Sequence, residues 1–355
     1  MKLAIATPLY PPESGGPATY AKLLAAELPK RGWKVEVVKF SGVRHLPKAV
    51  RHIAYGWRVF RAARRADAVL ALDPVSTGFP AHAAAAAAGK PFYVKVVGDY
   101  AWEQGRQRFG IEDSLDAFAA QQDVPLPVKT LRFAQQHVAR SARKVIVPSQ
   151  YWRRLLRSWN VADEKIAVIH NAAPEVSEEY PRPIEDTYIV SISRLVPWKG
   201  FAGVIRAMRK AEGKLVIVGD GPEREKLEAL ARDQGLDSRV IFTGALPPEK
   251  TLAYLKHAEM FVLNTSYEGF SHLILEAFAL GTVVLTTSAG GNAEQVTDGE
   301  TGILFPAGDS DAIAAAIEHA RDPMLRARLA ANAKEKLEAF SVDRMIRAVI
   351  DTLKP

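Results

Sequence analysis

Short apolar runs of four to six residues alternate along the chain with longer segments in which apolar positions recur every three or four residues. The runs predict strands at 2–6, 34–39, 68–72, 92–97, 144–147 and 166–169. The periodic segments between them predict helices at 17–29, about 47–65, 75–88, 127–140 and 151–159. From 98 to 125 the periodicity fails, apart from a short helical pattern at 112–119. Residues 172–186 break the rhythm again with Ala172-Ala173-Pro174 and Pro181-Arg182-Pro183, and read as a linker. The alternation then restarts, with strands at 188–193, 215–218, 240–242, 260–263, 283–286 and 303–305. Helices are expected at 201–209, 223–234, 249–256, 273–280, 310–320, 323–339 and 342–353. Apolar strands that alternate with amphipathic helices predict an α/β fold, here two doubly wound domains, 1–172 and 173–340, facing a central cleft. Such sheets bind ligands at the carboxyl ends of their strands, so the chemistry is to be sought in the loops that follow strands.

Composition fits this picture and removes some alternatives. The chain has 355 residues, 48% of them hydrophobic, enough for two cores. It has no cysteine, which excludes disulfides, a thiol nucleophile and a thiolate metal site. No run of about 18 apolar residues occurs, so no membrane span is expected. The apolar start at 1–6 is cut short by Pro8, Pro11 and Pro12 and reads as a buried strand, not a signal peptide. A cytoplasmic protein is the expectation.

The net charge of +7 hides an asymmetry: residues 1–172 carry 26 Lys+Arg against 13 Asp+Glu, and the remainder 21 against 27. Arg44, Lys48, Arg51, Arg58, Arg61, Arg64 and Arg65 fall within 44–65 with no acidic residue among them. In the same helix Leu46, Val50, Ile53, Trp57 and Phe60 recur at helical spacing. The stripe is expected to pack on the sheet and leave the charges in water. The unbalanced basic face predicts attraction to an anionic membrane or to a lipid-phosphate acceptor. A nucleic-acid-binding role is the reading from another class; it is disfavoured because the cations that matter follow strands and face the cleft.

Five loops after strands carry candidate chemistry. Gly15-Gly16 opens a helix after the first strand and allows close backbone approach to a phosphate, or is a plain turn. It is not Gly-x-Gly-x-x-Gly, and Lys39 and Phe40 stand where a dinucleotide site needs an acid. Arg194-Leu-Val-Pro-Trp-Lys199-Gly200 places two cations about a proline turn, suited to phosphate oxygens or else a solvated basic loop. Gly219-Asp220-Gly221-Pro222 reads as a structural turn. Glu268 precedes a helix for which Ser271 is the expected N-cap, Glu276 lies within it and Gly281 closes it. The first turn of that helix suits an anion such as a diphosphate. Ala289-Gly290-Gly291-Asn292 is a further glycine-rich segment.

In combination these elements resemble the family 4 retaining glycosyltransferases over nearly the whole chain. The elements are Gly15-Gly16, Ile169-His170-Asn171, Ser193-Arg194…Lys199-Gly200, Gly219-Asp220-Gly221-Pro222 and Glu268 through Glu276 with Ala277 and Gly281. The resemblance implies the GT-B fold, two Rossmann-like domains of which the first serves the acceptor and the second binds a nucleotide-sugar donor. It also implies that the C-terminal helix, about 341–355, packs back on the first domain.

By resemblance Glu268 holds donor-sugar hydroxyls and Glu276 the donor ribose. Backbone amides around Phe270, Ser271, His272 and Leu273, with Gly15 and Gly16, touch the diphosphate. Arg194 and Lys199 neutralise it as it leaves, Leu246 touches the nucleobase, and Asn171 lies on the donor side. The family's histidine after the fifth strand of the first domain is missing: Gly98 stands there. Asp99 is the nearest substitute, or it caps the segment that follows. Tyr100, Trp102 and Arg106 form an acceptor-side surface, or belong to an ordinary connection.

The expected reaction moves a hexose-type sugar from a nucleoside-diphosphate sugar to a hydroxyl of a glycan, lipid-linked or small-molecule acceptor. An epimerase or hydrolase of the same fold is the alternative. No Asp-x-Asp motif occurs in the expected loop, so no metal site and no cofactor are expected. The protein is expected in the cytoplasm, peripheral on the inner face of the membrane.

Overall fold

A computed structural model describes all residues except Ser14, Glu178 and Pro355, and leaves undescribed the side chains of Lys48 and Ala49. The strands of the first unit are β1 (Lys2–Thr7), β2 (Lys34–Lys39), β3 (Ala68–Ala71), β4 (Phe92–Lys95), β5 (Lys144–Val147) and β6 (Ile166–Val168). Those of the second are β7 (Tyr188–Ile192), β8 (Lys214–Val218), β9 (Val240–Gly244), β10 (Met260–Leu263), β11 (Val283–Thr286) and β12 (Ile303–Leu304). Each set forms one six-stranded parallel sheet, in the orders β2-β1-β3-β4-β5-β6 and β12-β11-β10-β7-β8-β9. The strand order reverses between β1 and β3 in the first sheet and between β10 and β7 in the second.

The apolar runs form strands because helices cover both faces of each sheet. Every residue of β3, β4, β7, β10 and β11 is buried, including Lys95 at the end of β4. In the second unit one core on one face gathers Leu215, Ile217, Val262 and Leu285, and one on the other gathers Val190, Val216, Phe261 and Val284, the alternation a pleated strand imposes.

Contacts within the chain group Met1–Asn171 with Asp343–Pro355 in one compact unit and Ala172–Val342 in the other. Helix Val342–Leu353 joins the first unit through Arg31, which pairs with Asp343 at 2.9 Å, and through the Tyr93 hydroxyl, which donates to the Leu353 carbonyl at 3.3 Å.

Three segments differ from the expectation. The stretch expected to be irregular after residue 98 holds helix Tyr100–Arg108, and the helix expected at 112–119 runs Leu115–Ala120. The first of these starts because Asp99 accepts the Trp102 amide at 2.9 Å and the second because Ser114 accepts that of Ala117 at 3.2 Å. The helix expected from 75 begins only at Gly78. Asp73 takes the amides of Val75, Ser76 and Thr77 at 2.8, 2.6 and 3.0 Å, so a turn replaces the first helical residues.

The third difference is the stripe of helix Lys48–Ala63, which does not pack on the sheet. Val50 is 49% exposed, Ile53 75% and Trp57 61%. The buried side is Tyr55, Val59, Ala62 and Ala63. Its alanines, with Gly56 against Pro80, let the helix lie close to Gly78–Ala87.

Candidate active site

The second sheet reverses its order between β7 and β10, the place in a doubly wound sheet where ligands are expected to bind. The loop after β7 carries Arg194 and Lys199, and the loop after β10 carries Glu268. Their side chains meet: Lys199 Nζ donates to Glu268 Oε2 at 2.5 Å, with 14% and 18% of the two side chains exposed.

The approach is built by backbone locks. A 3₁₀ turn, Pro197–Lys199, ends at Gly200 with φ +61°, where a Cβ would lie 2.1 Å from the Asn264 carbonyl oxygen. Asn264 is buried, donates from Nδ2 to the Gly200 carbonyl at 2.8 Å and accepts the Gly308 amide at 2.9 Å. The Ser266 amide and the Thr265 hydroxyl both donate to the Trp198 carbonyl, at 2.9 and 3.1 Å. Lys199 is thereby fixed to the segment 264–266 that follows β10, two to four residues before Glu268.

Arg194 is exposed, with its guanidinium 5.7 Å from the centre of the Trp198 ring. Its loop rests on Gly219–Gly221. A Cβ at Gly219 would fall 1.9 Å from the Ser193 carbonyl oxygen, and one at Gly221 2.4 Å from that of Leu195. This turn is the bed on which Arg194 is presented.

Glu268 is supported in the same way from β11. The Gly291 amide donates to the Glu268 carbonyl at 3.0 Å, and a Cβ at Gly290 would lie 1.9 Å from that oxygen. Asn292 is fully buried and donates to the Thr286 hydroxyl at 3.1 Å.

Helix His272–Leu280 begins at Ser271 and closes at left-handed Gly281, with φ +77°. The Ser271 side chain makes no capping bond. Gln295 does the work instead: its Oε1 accepts the Ser271 amide at 2.8 Å and its Nε2 donates to the Ser271 carbonyl at 2.7 Å. The Ser271 amide is therefore engaged by a side chain of the protein. Leu273, in the first turn, keeps an amide with no intrahelical acceptor. Phe270 is buried against Phe340, ring centres 5.5 Å apart.

Glu276 lies one helical turn beyond His272 and so shares its face. Burial pushes its carboxyl up to about 7. Leu246 is half-buried beside the core that Phe261 and Phe278 form.

The remaining candidates lie in the first unit. Gly15, with φ +136°, precedes helix Gly16–Glu27, and Gly16 is its first residue. Asn171 is buried, and its Oδ1 accepts from Lys95 Nζ at 3.1 Å. Lys95 also lies 3.6 Å from the centre of the Tyr20 ring, and burial brings its amine down to about 7.

Asp99 is buried and caps Tyr100–Arg108, and it also accepts from Gln135 Nε2 at 2.8 Å. Of the three acceptor-side candidates, Tyr100 is 36% exposed whereas Trp102 is only 1% exposed. The Trp102 indole donates to the Asp113 carbonyl at 2.9 Å, and Arg106 donates to that of Glu112 at 3.0 Å. Trp102 thus packs the base of this segment. Among the described residues, no three His, Asp or Glu side chains are gathered as metal ligands.

Asn264 and Gln295 escaped the sequence reading because each is an isolated amide inside an apolar stretch or short helix. Their only signal was position, directly after a strand or a glycine-rich loop.

Two parallel doubly wound sheets, with cation and carboxylate at the reversal of the second, define an α/β protein of the GT-B fold. The Anabaena Alr3699/HepE structure in complex with UDP and glucose superposes with a TM-score of 0.79 over 99% of both chains, at 19% identity. The model for glycosyl transferases group 1 matches residues 173–336, and that for the glycosyl transferase 4-like domain matches 38–172. The D-inositol 3-phosphate glycosyltransferase of Mycobacterium marinum is 30% identical, with 86% of this chain and 73% of that protein covered. The chain belongs to the group 1 glycosyltransferase family. It is also 36% identical to the lipopolysaccharide core biosynthesis glycosyltransferase LpsD of Rhizobium meliloti, over 51% of this chain and 53% of LpsD, so that match spans about half the relative's length.

Proposed function

We propose that this protein transfers a hexose-type sugar from a nucleoside-diphosphate sugar to an acceptor hydroxyl, with retained configuration at the anomeric carbon. The observation that carries the reading is the Lys199–Glu268 pair at the reversal point, beside the start of helix His272–Leu280. The second unit takes the donor and the first serves the acceptor. Lys199, Arg194 and the positive end of the helix meet the diphosphate. Glu268 accepts from sugar hydroxyls and Glu276 from the ribose. As the bond from the anomeric carbon to the diphosphate breaks, charge grows on the leaving oxygen, where preorganised cations act most strongly. Arg194 and Lys199 supply the positive charge that offsets it, and on this reading transfer continues in excess EDTA.

The UDP and glucose of the HepE complex support a nucleotide-sugar donor. The relatives named for lipopolysaccharide core and for D-inositol 3-phosphate support a glycan or phosphate-bearing acceptor. The test is a thermal-shift screen with UDP, GDP and ADP sugars, followed by measured nucleotide release with candidate acceptors. One nucleotide class is expected to raise the midpoint, because a ligand at 100 times its Kd stabilises by about 2.7 kcal/mol. No shift with any of the three classes would sink the reading. Free sugar or an epimer as the sole product would reassign the site to hydrolysis or epimerisation.

A further inference from the structure

The exposed face of helix Lys48–Ala63 is used by nothing described so far. Val50, Ile53, Trp57, Arg61 and Arg64 follow one another at spacings of three or four, so they form one row along the helix. The row is apolar at its beginning and cationic at its end. Ile53 and Trp57 are among the most exposed large apolar side chains of the described residues. Trp57 stacks on Phe60 at 5.5 Å, which holds the indole against the helix. Phe79, in the adjoining helix, is 49% exposed, and Gly56 packs against the residue that follows it, Pro80.

Three of the cations in and beside this row have no ion pair among the described residues. Arg44 pairs with Glu13, and Arg65 with Glu36 at 2.8 Å. Arg58, Arg61 and Arg64 make no ion pair among the described residues, and 44–65 contains no acidic residue. Folding leaves Arg61 and Arg64 in one row with the exposed apolar side chains and Arg58 at its flank, beside Gly42, although burying Val50, Ile53 and Trp57 would have been the favourable course for a face with no partner.

We propose that this face docks on an anionic lipid surface, with Ile53 and Trp57 entering the headgroup boundary and Arg58, Arg61 and Arg64 meeting lipid phosphates. The row from 50 to 64 spans roughly 21 Å at 1.5 Å per residue, long enough to lie flat in an interface. Tryptophan suits that depth because its ring is apolar and its N–H stays near water. A second copy of the chain fits less well. It would bring the same cations against these, with no carboxylate in the row to answer them. The proposal deepens the acceptor reading above and rests on it only for its purpose, since lipid binding needs neither donor nor acceptor.

The test is co-sedimentation of the full chain with vesicles of phosphatidylcholine alone and of phosphatidylcholine with phosphatidylglycerol. Binding is expected only to the anionic vesicles, and it weakens as salt rises. Ile53→Ser with Trp57→Ser is expected to lower that binding at least about tenfold. Arg58→Gln, Arg61→Gln and Arg64→Gln together are expected to lower it roughly 10²-fold, at about a factor of five per cation. Both variants change exposed side chains and are expected to keep the wild-type melting midpoint and the wild-type shift with donor nucleotide.

Wild-type binding no stronger to anionic than to neutral vesicles would overturn the proposal. So would undiminished binding by either variant. A concentration-dependent dimer that Ile53→Ser with Trp57→Ser abolishes would assign the face to a second copy instead.

Discussion

Lys199 Nζ lies 2.5 Å from Glu268 Oε2, although 69 residues separate them in the chain. The pair spans the point where the second sheet reverses its strand order, and each charge answers the other. A diphosphate carries more negative charge than one carboxylate. On the proposed reading it draws Lys199 to itself and releases Glu268 toward the sugar. The exchange keeps both partly buried charges satisfied before and after donor binding.

Replacing the cations tests this directly. A unit charge pair at 4 Å is worth about 4 kcal/mol at an effective dielectric near 20. Lys199→Ala and Arg194→Ala are each expected to lower kcat by roughly 10²–10³, as for loss of one charge-stabilising donor. Near-normal turnover in either folded variant would refute the role given to that residue.

Gln295 holds both backbone groups of Ser271, at 2.8 and 2.7 Å. Gln295→Leu leaves both groups buried without partners, at about 1–3 kcal/mol. Urea denaturation is expected to show that loss, with weaker donor binding because the helix start is no longer held. Unchanged stability together with unchanged affinity would show that Gln295 does not set the helix start.

Gly290 and Gly281 separate backbone strain from steric exclusion. Both have positive φ, +60° and +77°, but an added Cβ at Gly290 strikes the Glu268 carbonyl oxygen while one at Gly281 meets nothing within 4 Å. Gly281→Ala is expected to cost about 1 kcal/mol of stability and to leave donor affinity intact. Gly290→Ala must displace the Glu268 loop, and donor affinity is expected to fall at least about tenfold as well. Titration of the two variants with the donor nucleotide compares them; equal affinities would mean that the Glu268 loop tolerates the shift.

Glu276 makes stability pH-dependent. Its carboxyl is raised from the ordinary value of 4.5 to about 7, so between these pH values the native state holds more proton than the unfolded chain. Stability therefore falls as pH rises across that window. Glu276→Gln is expected to flatten this part of the profile, measured as melting midpoint from pH 4.5 to 8. A profile unaltered by the substitution would remove Glu276 as its source.

Lys95 acts in the opposite sense at higher pH. Its amine is lowered from 10.5 to about 7, so across that interval the unfolded chain binds more proton and stability rises with pH. Lys95→Met is expected to abolish the rise between pH 7 and 10. Midpoints that climb as steeply in the variant would show that the amine is not the cause.

The alternation of strands and helices was determined by the sequence alone, because a strand buried on both faces must be apolar throughout and a covering helix must be apolar on one side. The break at 172–186 and the glycines after β7, β8 and β11 were legible for a similarly local reason: proline and glycine restrict or free the backbone wherever they stand. Helix Tyr100–Arg108 was hidden because its residues lack a helical apolar period, although its cap, Asp99, was visible; that Gln135 holds Asp99 from 36 residues away was not. The stripe Val50, Ile53 and Trp57 has the spacing of a packing face, yet Tyr55, Val59, Ala62 and Ala63 offered a closer fit to the neighbouring helix. Spacing cannot decide between two apolar faces. Nor could it show that Lys199 touches Glu268, that Asn264 fixes Gly200, or that Gln295 replaces Ser271 as the cap. Those contacts join loops from different strands, and only the order of strands in the folded sheet brings them within hydrogen-bonding distance.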